Sequence, residues 1–164
     1  MPRVSGVFVR NSEWTPTFLS QLAIQHSVDS TLGLAVPAGV DQQLPLLWDN
    51  LNRVSFRFTQ DVAVDLDDLL VRARNRNLPV ASIEYDTATN SATFALTQPL
   101  SGGLVVLDLL DTITGGSSGL RLDGQWTNGR GDFPTGDGIA GGKLLFSVTA
   151  APDDYDGNRM LTNK

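Results

Sequence analysis

The stretch RVSFRFTQ, residues 53–60, decides the fold. Val54, Phe56 and Phe58 fall on one side of an extended chain and Ser55, Arg57 and Thr59 on the other, because successive side chains of a strand point to opposite faces. Such a segment buries one face and leaves the other to water, so it belongs to a sheet that packs on a second layer. The same alternation returns at Ile83 and Tyr85 in ASIEYD, at Ala92, Phe94 and Leu96 in SATFALTQ, and at Leu144, Phe146 and Val148 in KLLFSVTA. GLVVLDLL, residues 103–110, is apolar on both sides, which predicts a central strand covered by two layers. VSGVFVR, LLVRAR and GLRLDG are shorter strand candidates.

Turn signals separate these runs: DTATN at 86–90, QPLSGG at 98–103, TGGSSG at 114–119 and a Gly-rich stretch from 128 to 142. The short polar link DTATN predicts an antiparallel hairpin between its flanking strands. One helical signal interrupts the pattern. Thr15 can cap, Pro16 suits the first helical position, and Phe18, Leu19, Leu22 and Ala23 share a face. Residues 27–49 show less order, although Leu44, Leu46, Leu47 and Trp48 should anchor part of them to the core. The expected architecture is an all-β, Ig-like antiparallel Greek-key β-sandwich with one short N-terminal helix. It divides as a β-sandwich domain over residues 3–151 and a separate segment over 152–164.

Composition narrows the function. At 164 residues, 41% hydrophobic and 18% charged, the chain can bury a real core. A net charge of −6 disfavours a nucleic-acid surface, which needs clustered cations to neutralise phosphates. The basic run Arg72, Arg74, Arg76 reads instead as the solvent side of a strand. Cysteine is absent, so there is neither a disulfide framework nor a thiolate metal site. No apolar run approaches the ~20 residues of a membrane helix, and the N-terminus lacks the layout of a signal peptide. Met1 leads almost directly into RVSGVFVR, the beginning expected of a fragment of a longer protein, so a missing export signal says little about the parent.

Candidate chemistry is sparse. Gly115, Ser117 and Gly119 match the spacing of a nucleophile elbow, but that fold alternates strands with helices and places its His after the Ser, whereas His26 lies upstream. A Gly/Ser linker between strands is the better reading. His26 sits where the helix should end, a place that suits an imidazole. Arg130, Gly131 and Asp132 spell RGD in a Gly-rich loop, a motif too short to count without context. Asp61, Asp65, Asp67 and Asp68 could offer oxygens to calcium at one end of a sandwich, but solvated turn residues are the better reading, with Asp67 and Asp68 also suited to a strand entry or a helix start. Among the tryptophans, Trp48 is embedded in an apolar run and Trp14 precedes the capped helix, which favours core packing for both, while Trp126, next to the Gly-rich loop, is the best exposed candidate for stacking on a sugar. In the closing DDYDGNRMLTNK, Asp154, Asp156 and Asn158 set oxygens at alternate positions, as the first half of a calcium loop does.

VSFRFTQDV, DLDDLLVRA, IEYDTATNSATFALTQPLSGGLVVLDLLDTI, LRLDGQW and FPTGDGIAGGKLLFSV together resemble the Ig-like β-sandwich modules near the carboxyl ends of very large secreted bacterial proteins. The resemblance covers about residues 50–151, and in that family a type I dockerin follows at once. The tail is similar to the opening of a dockerin repeat, in which Asp154, Asp156, Asn158, the carbonyl of Met160 and the side chain of Thr162 would be calcium ligands. Arg159 stands where the loop normally turns on Gly, and the closing carboxylate position lies past Lys164, so little calcium is expected in the chain as it stands. The resemblance implies secretion or display at the cell surface, docking to a cohesin-like partner through the dockerin, and a sandwich that is non-catalytic, either structural and adhesive or carbohydrate-binding. It implies neither a nucleic-acid partner nor membrane insertion.

Overall fold

The apolar side of RVSFRFTQ is fully buried and its polar side faces outward, and the strands around it follow the same logic. The computed structural model describes residues 1–74, 76–101 and 103–150. In chain order the elements are β1 (Val4–Arg10), α1 (Pro16–Leu22), β2 (Val28–Asp29), β3 (Gly33–Ala35), a 3-10 turn (Gly39–Gln43), β4 (Pro45–Leu46), β5 (Arg53–Phe58) and β6 (Val62–Ala63). There follow a second 3-10 turn (Leu66–Asp68), β7 (Leu69–Arg72), β8 (Asn77–Leu78), β9 (Val80–Asp86), β10 (Ser91–Leu96), β11 (Leu104–Leu109), β12 (Thr114–Gly115) and β13 (Leu144–Ala150).

Two main sheets share one core. The first has six strands in the order β2-β3-β1-β5-β10-β9, the second five in the order β4-β13-β11-β7-β8, and β12 and β6 make a small ribbon. The chain is all-β with one short helix, as its alternation predicts. One expectation needs correction: β4 runs parallel to β13, so the sandwich is not wholly antiparallel. The hairpin across DTATN is present, with Asp86 opposite Ser91, and Asn90 at φ 55 makes the turn. Between the layers, Phe56 and Phe94 meet edge to face at 5.9 Å, a geometry worth about 0.5–1.5 kcal/mol beyond area burial.

GLVVLDLL is central, between β13 and β7, but only one of its faces is covered. Val105, Leu107 and Leu109 are buried in the core while Leu104 is exposed on the other side. Asp108 on that outer face is buried beneath Arg72, at 3.1 Å, and Lys143, at 3.3 Å. Of the basic run, Arg72 lies on β7 with its neighbours beyond the strand end. GLRLDG forms no strand, only a bridge from Arg121 to Thr114. α1 begins as expected: the Thr15 hydroxyl accepts the Phe18 N–H at 3.1 Å, a cap worth about 1 kcal/mol, and Leu19 and Leu22 are buried while Ala23 is exposed.

The Gly-rich stretch is held to the sandwich by buried polar side chains. Asp123 has no exposed surface, and its carboxylate accepts the N–H groups of Asp137 at 3.0 Å and Gly138 at 2.8 Å, with Arg3 at 3.6 Å. The Thr135 hydroxyl donates to the Asp123 carbonyl at 2.8 Å and accepts the Val4 N–H at 3.0 Å. Gly136, at φ 109, lies so close to the Asp123 carboxylate that a Cβ there would collide with it. Buried polar groups of this kind are costly unless fully bonded, so a satisfied set fixes the loop in one conformation.

Candidate functional site

A concavity of about 1010 Å³ opens on the side of the sandwich where β2 and β3 edge one sheet and β4 edges the other. Its wall carries Phe8, Val36, Leu44, Leu47, Trp48 and Phe133, and Asp41 and Asp132 stand among the lining residues. Leu44 and Leu47, 58% and 44% exposed, add apolar surface to this wall. The His26 ring meets Trp48 edge-on at 5.1 Å.

An ion pair forms the divide between this groove and a polar cleft beyond it: Arg57 donates to Asp29 at 2.7 Å, and its guanidinium lies 5.1 Å from the centre of the Phe8 ring. Asp29 also accepts the N–H groups of Thr31 at 2.8 Å and Leu32 at 2.9 Å, which closes the turn between β2 and β3. Burial alone would raise the Asp29 pKa, but the bonds from Arg57, Leu32 and Thr31 outweigh it and hold the carboxyl below the ordinary aspartate value.

Behind the groove, Gln42 is a four-way junction. Its amide nitrogen donates to the Asn128 side chain at 2.7 Å and the Ser147 carbonyl at 2.9 Å, while its amide oxygen accepts the Trp126 indole N–H and the Gly129 N–H, each at 3.0 Å. This residue gave no sequence signal, since a Gln next to Asp41 and Gln43 looks like surface.

The residues singled out from the sequence have separate fates. Trp126 is partly buried, with its ring stacked on Phe133 at 4.7 Å and the backbone of Gly131 against it, so that a Cβ at Gly131 would come within 2.8 Å of the indole. Trp48 is packed in part against the core, as the sequence predicts, and also lines the groove beside Phe8 and Phe133; Trp14 is buried and tilted against Phe18 at 5.0 Å. Within RGD, Arg130 and Asp132 are exposed, while Gly131 is tied by its N–H to the Thr127 carbonyl and by its own carbonyl to Gly39. Asp65 and Asp68 cap the second 3-10 turn reciprocally, Asp68 also receives the Thr112 hydroxyl, and Asp61 accepts the Tyr85 hydroxyl at 2.8 Å. Asp67 is exposed in the same turn. Among the described residues no three His, Asp or Glu side chains gather where they could hold a metal ion. Ser117 lies in the turn after β12, in which the Gly119 N–H bonds to the Gly115 carbonyl, whereas His26 lies against Trp48. Asp154, Asp156, Asn158, Met160 and Thr162 lie outside the described residues.

Neither a family model nor a curated protein matches the chain. Among solved structures, the N-terminal part of the bacterial S-layer protein SbsC is similar at 11% identity and a TM-score of 0.42, covering 61% of this chain and 21% of that one. The chain thus spans about a fifth of the structure it matches. Among the described residues no helix is long and apolar enough to cross a membrane.

Proposed function

We propose that the chain is a non-catalytic structural or adhesive β-sandwich module of a large secreted or cell-surface protein, adjacent to a dockerin through which the parent docks to a cohesin-like partner. The observation that supports the scaffold part is where the buried polar side chains go. Gln42, Asp123 and Thr135 are spent on backbone groups of the Gly-rich loop and its neighbours, which fixes that loop rather than arming it. The docking part rests on the resemblance across residues 50–151 and on the spacing of Asp154, Asp156 and Asn158. A version of the protein extended past Lys164 should gain helicity when calcium is added; unchanged helicity in a calcium titration would remove the docking proposal while leaving the scaffold untouched.

A second reading, a carbohydrate-binding module of a secreted polysaccharide-degrading protein, is favoured by the groove beside Trp48, since an accessible indole face can stack on a sugar ring. Retention on immobilised glycans that drops on Trp48→Ala would support it, and no retention on any glycan would count against it.

A further inference from the structure

The outer face of the first sheet forms a grid fixed by strand register. Arg10, Arg53 and Ala95 lie in one row; Phe8, Ser55, Thr93 and Glu84 in the next; and Gly6, Arg57, Ser91 and Asp86 in a third. A cleft of about 630 Å³ lies over this grid, and hydroxyls line it: Ser12, Ser30, Thr31, Thr89, Ser91 and Thr93.

Arg10 and Arg53 stand directly opposite each other across β1 and β5. Like charges in that position destabilise a sheet unless something neutralises them. Arg57 has Asp29 for that purpose, but among the described residues no carboxylate lies within ion-pair distance of Arg10 or Arg53. Neutral carbonyls position them instead. Arg10 donates to Asn11 at 3.2 Å, Thr31 at 2.9 Å and Trp14 at 2.9 Å, and Arg53 donates to Asn52 at 3.1 Å. Carbonyl acceptors orient a guanidinium without cancelling its charge. The result is a pre-set pair of positive forks on a chain whose net charge is −6. Burial and the nearness of Arg53 both lower the Arg10 pKa, in keeping with two cations that lack a counter-ion.

We propose that this cleft binds the oxyanion of an acidic saccharide, a carboxylate or sulfate group held between Arg10 and Arg53, with the sugar hydroxyls met by Ser12 and Thr93. Planar guanidinium forks match the paired oxygens of such groups. The hydroxyl lining suits a polyol better than an acidic peptide. Glu84 and Asp86 on β9, about 10 Å from β5 at ordinary strand spacing, set a negative border on the far side of the cleft, which leaves the Arg10 and Arg53 end as the place for an oxyanion. This goes beyond the scaffold reading, which would survive its failure.

Isothermal titration of the full chain with oligogalacturonate, its methyl ester, a sulfated galactan oligosaccharide that carries no carboxylate, neutral dextran and polyglutamate tests it. Binding to at least one acidic saccharide is expected, with no measurable binding of dextran or the methyl ester. The galacturonate and sulfate arms decide which oxyanion is preferred. Arg53→Gln should weaken binding about tenfold or more, the scale of one charge-assisted contact, and Arg53→Lys should fall between. Raising salt to about 0.5 M should weaken it too. Arg53 is the position to change because it makes one bond to its own neighbour, whereas Arg10 braces three carbonyls. A circular-dichroism melt confirms that the variants fold, and relief of like-charge repulsion predicts that Arg53→Gln melts no lower than the parent. No binding of any acidic saccharide, equal binding of dextran, polyglutamate binding as tight as the saccharide, or an unchanged affinity in folded Arg53→Gln would each overturn the proposal.

Discussion

Replacing Gln42 by Ala should unfasten one side of the sandwich. The side chain is 1% exposed and makes four hydrogen bonds, to Asn128, Ser147, Trp126 and Gly129. Each such bond contributes about 0.5–1.5 kcal/mol net, and buried partners left without a mate add to the loss, so about 3–5 kcal/mol should disappear. For a chain of this size that is about 6–20 °C in Tm. Gln42→Glu is the sharper perturbation. It keeps the volume and the acceptor that serves Trp126 and Gly129, but turns the donor end into a carboxylate oxygen facing two acceptors, the Asn128 side chain and the Ser147 carbonyl. Its cost should match or exceed that of Ala near neutral pH and shrink in mild acid, where a protonated carboxyl can donate again. Urea denaturation followed by tryptophan fluorescence measures both, since Trp126 reports on the bond itself. A loss under about 1 kcal/mol in Gln42→Ala would show that the junction is ornamental and refute the reasoning.

Three further outcomes follow from particular contacts. Tyr85 is pushed up to about 12, chiefly by burial and also by donating to Asp61, so its contribution to stability is complete below about pH 10 and is lost as pH rises through 12; melts across that range should fall more steeply in the parent than in Tyr85→Phe. Asp29 is held below its ordinary value, so its contribution is present above about pH 4 and is lost as pH falls through the lowered pKa. Arg57→Gln should move the Asp29 carboxyl titration, followed by NMR, upward. Gly136→Ala combines a backbone at φ 109 with a methyl group driven into the Asp123 carboxylate, and should cost about 2 kcal/mol or more by thermal melt, with Gly138→Ala, which meets only the Arg3 side chain at 3.9 Å, costing less.

The long strands were legible because burial imposes a period that survives in the letters. β5, β10 and β13 alternate, and the core sits on the sides their alternation names. The edges were not. β2, β3 and β4 are two or three residues long, too short for a period to show, and they close a sheet through backbone bonds that any sequence can make. β4 also runs parallel to β13, a relation that depends on how the chain returns across the sandwich rather than on local pattern. GLRLDG alternates like a strand, yet Asp123 within it is committed to the amides of Asp137 and Gly138. Charged letters misled for a related reason. Asp65 read as a ligand or a solvated turn residue and proved to be a cap, because a carboxylate satisfies a backbone N–H as readily as a cation, whereas Asp68 stands in the first turn as its helix-start reading expects. Trp48 and Trp126 both pack in part against the core: Trp48 does so as its apolar neighbours predict, while a Gly-rich neighbour made Trp126 look open when that glycine, Gly131, is what packs on its ring.

The claim on which the scaffold reading depends is that the Gly-rich loop is locked to the sheets by buried side chains, and native-state hydrogen exchange measures it amide by amide. The N–H groups of Gly129, Asp137 and Gly138, which bond to Gln42 and Asp123, should exchange within about tenfold of the β13 amides, through opening of the sandwich as a whole. Exchange at rates near those of an unfolded peptide while β13 stays protected would mean a loop free to move on a rigid frame, and would contradict the account.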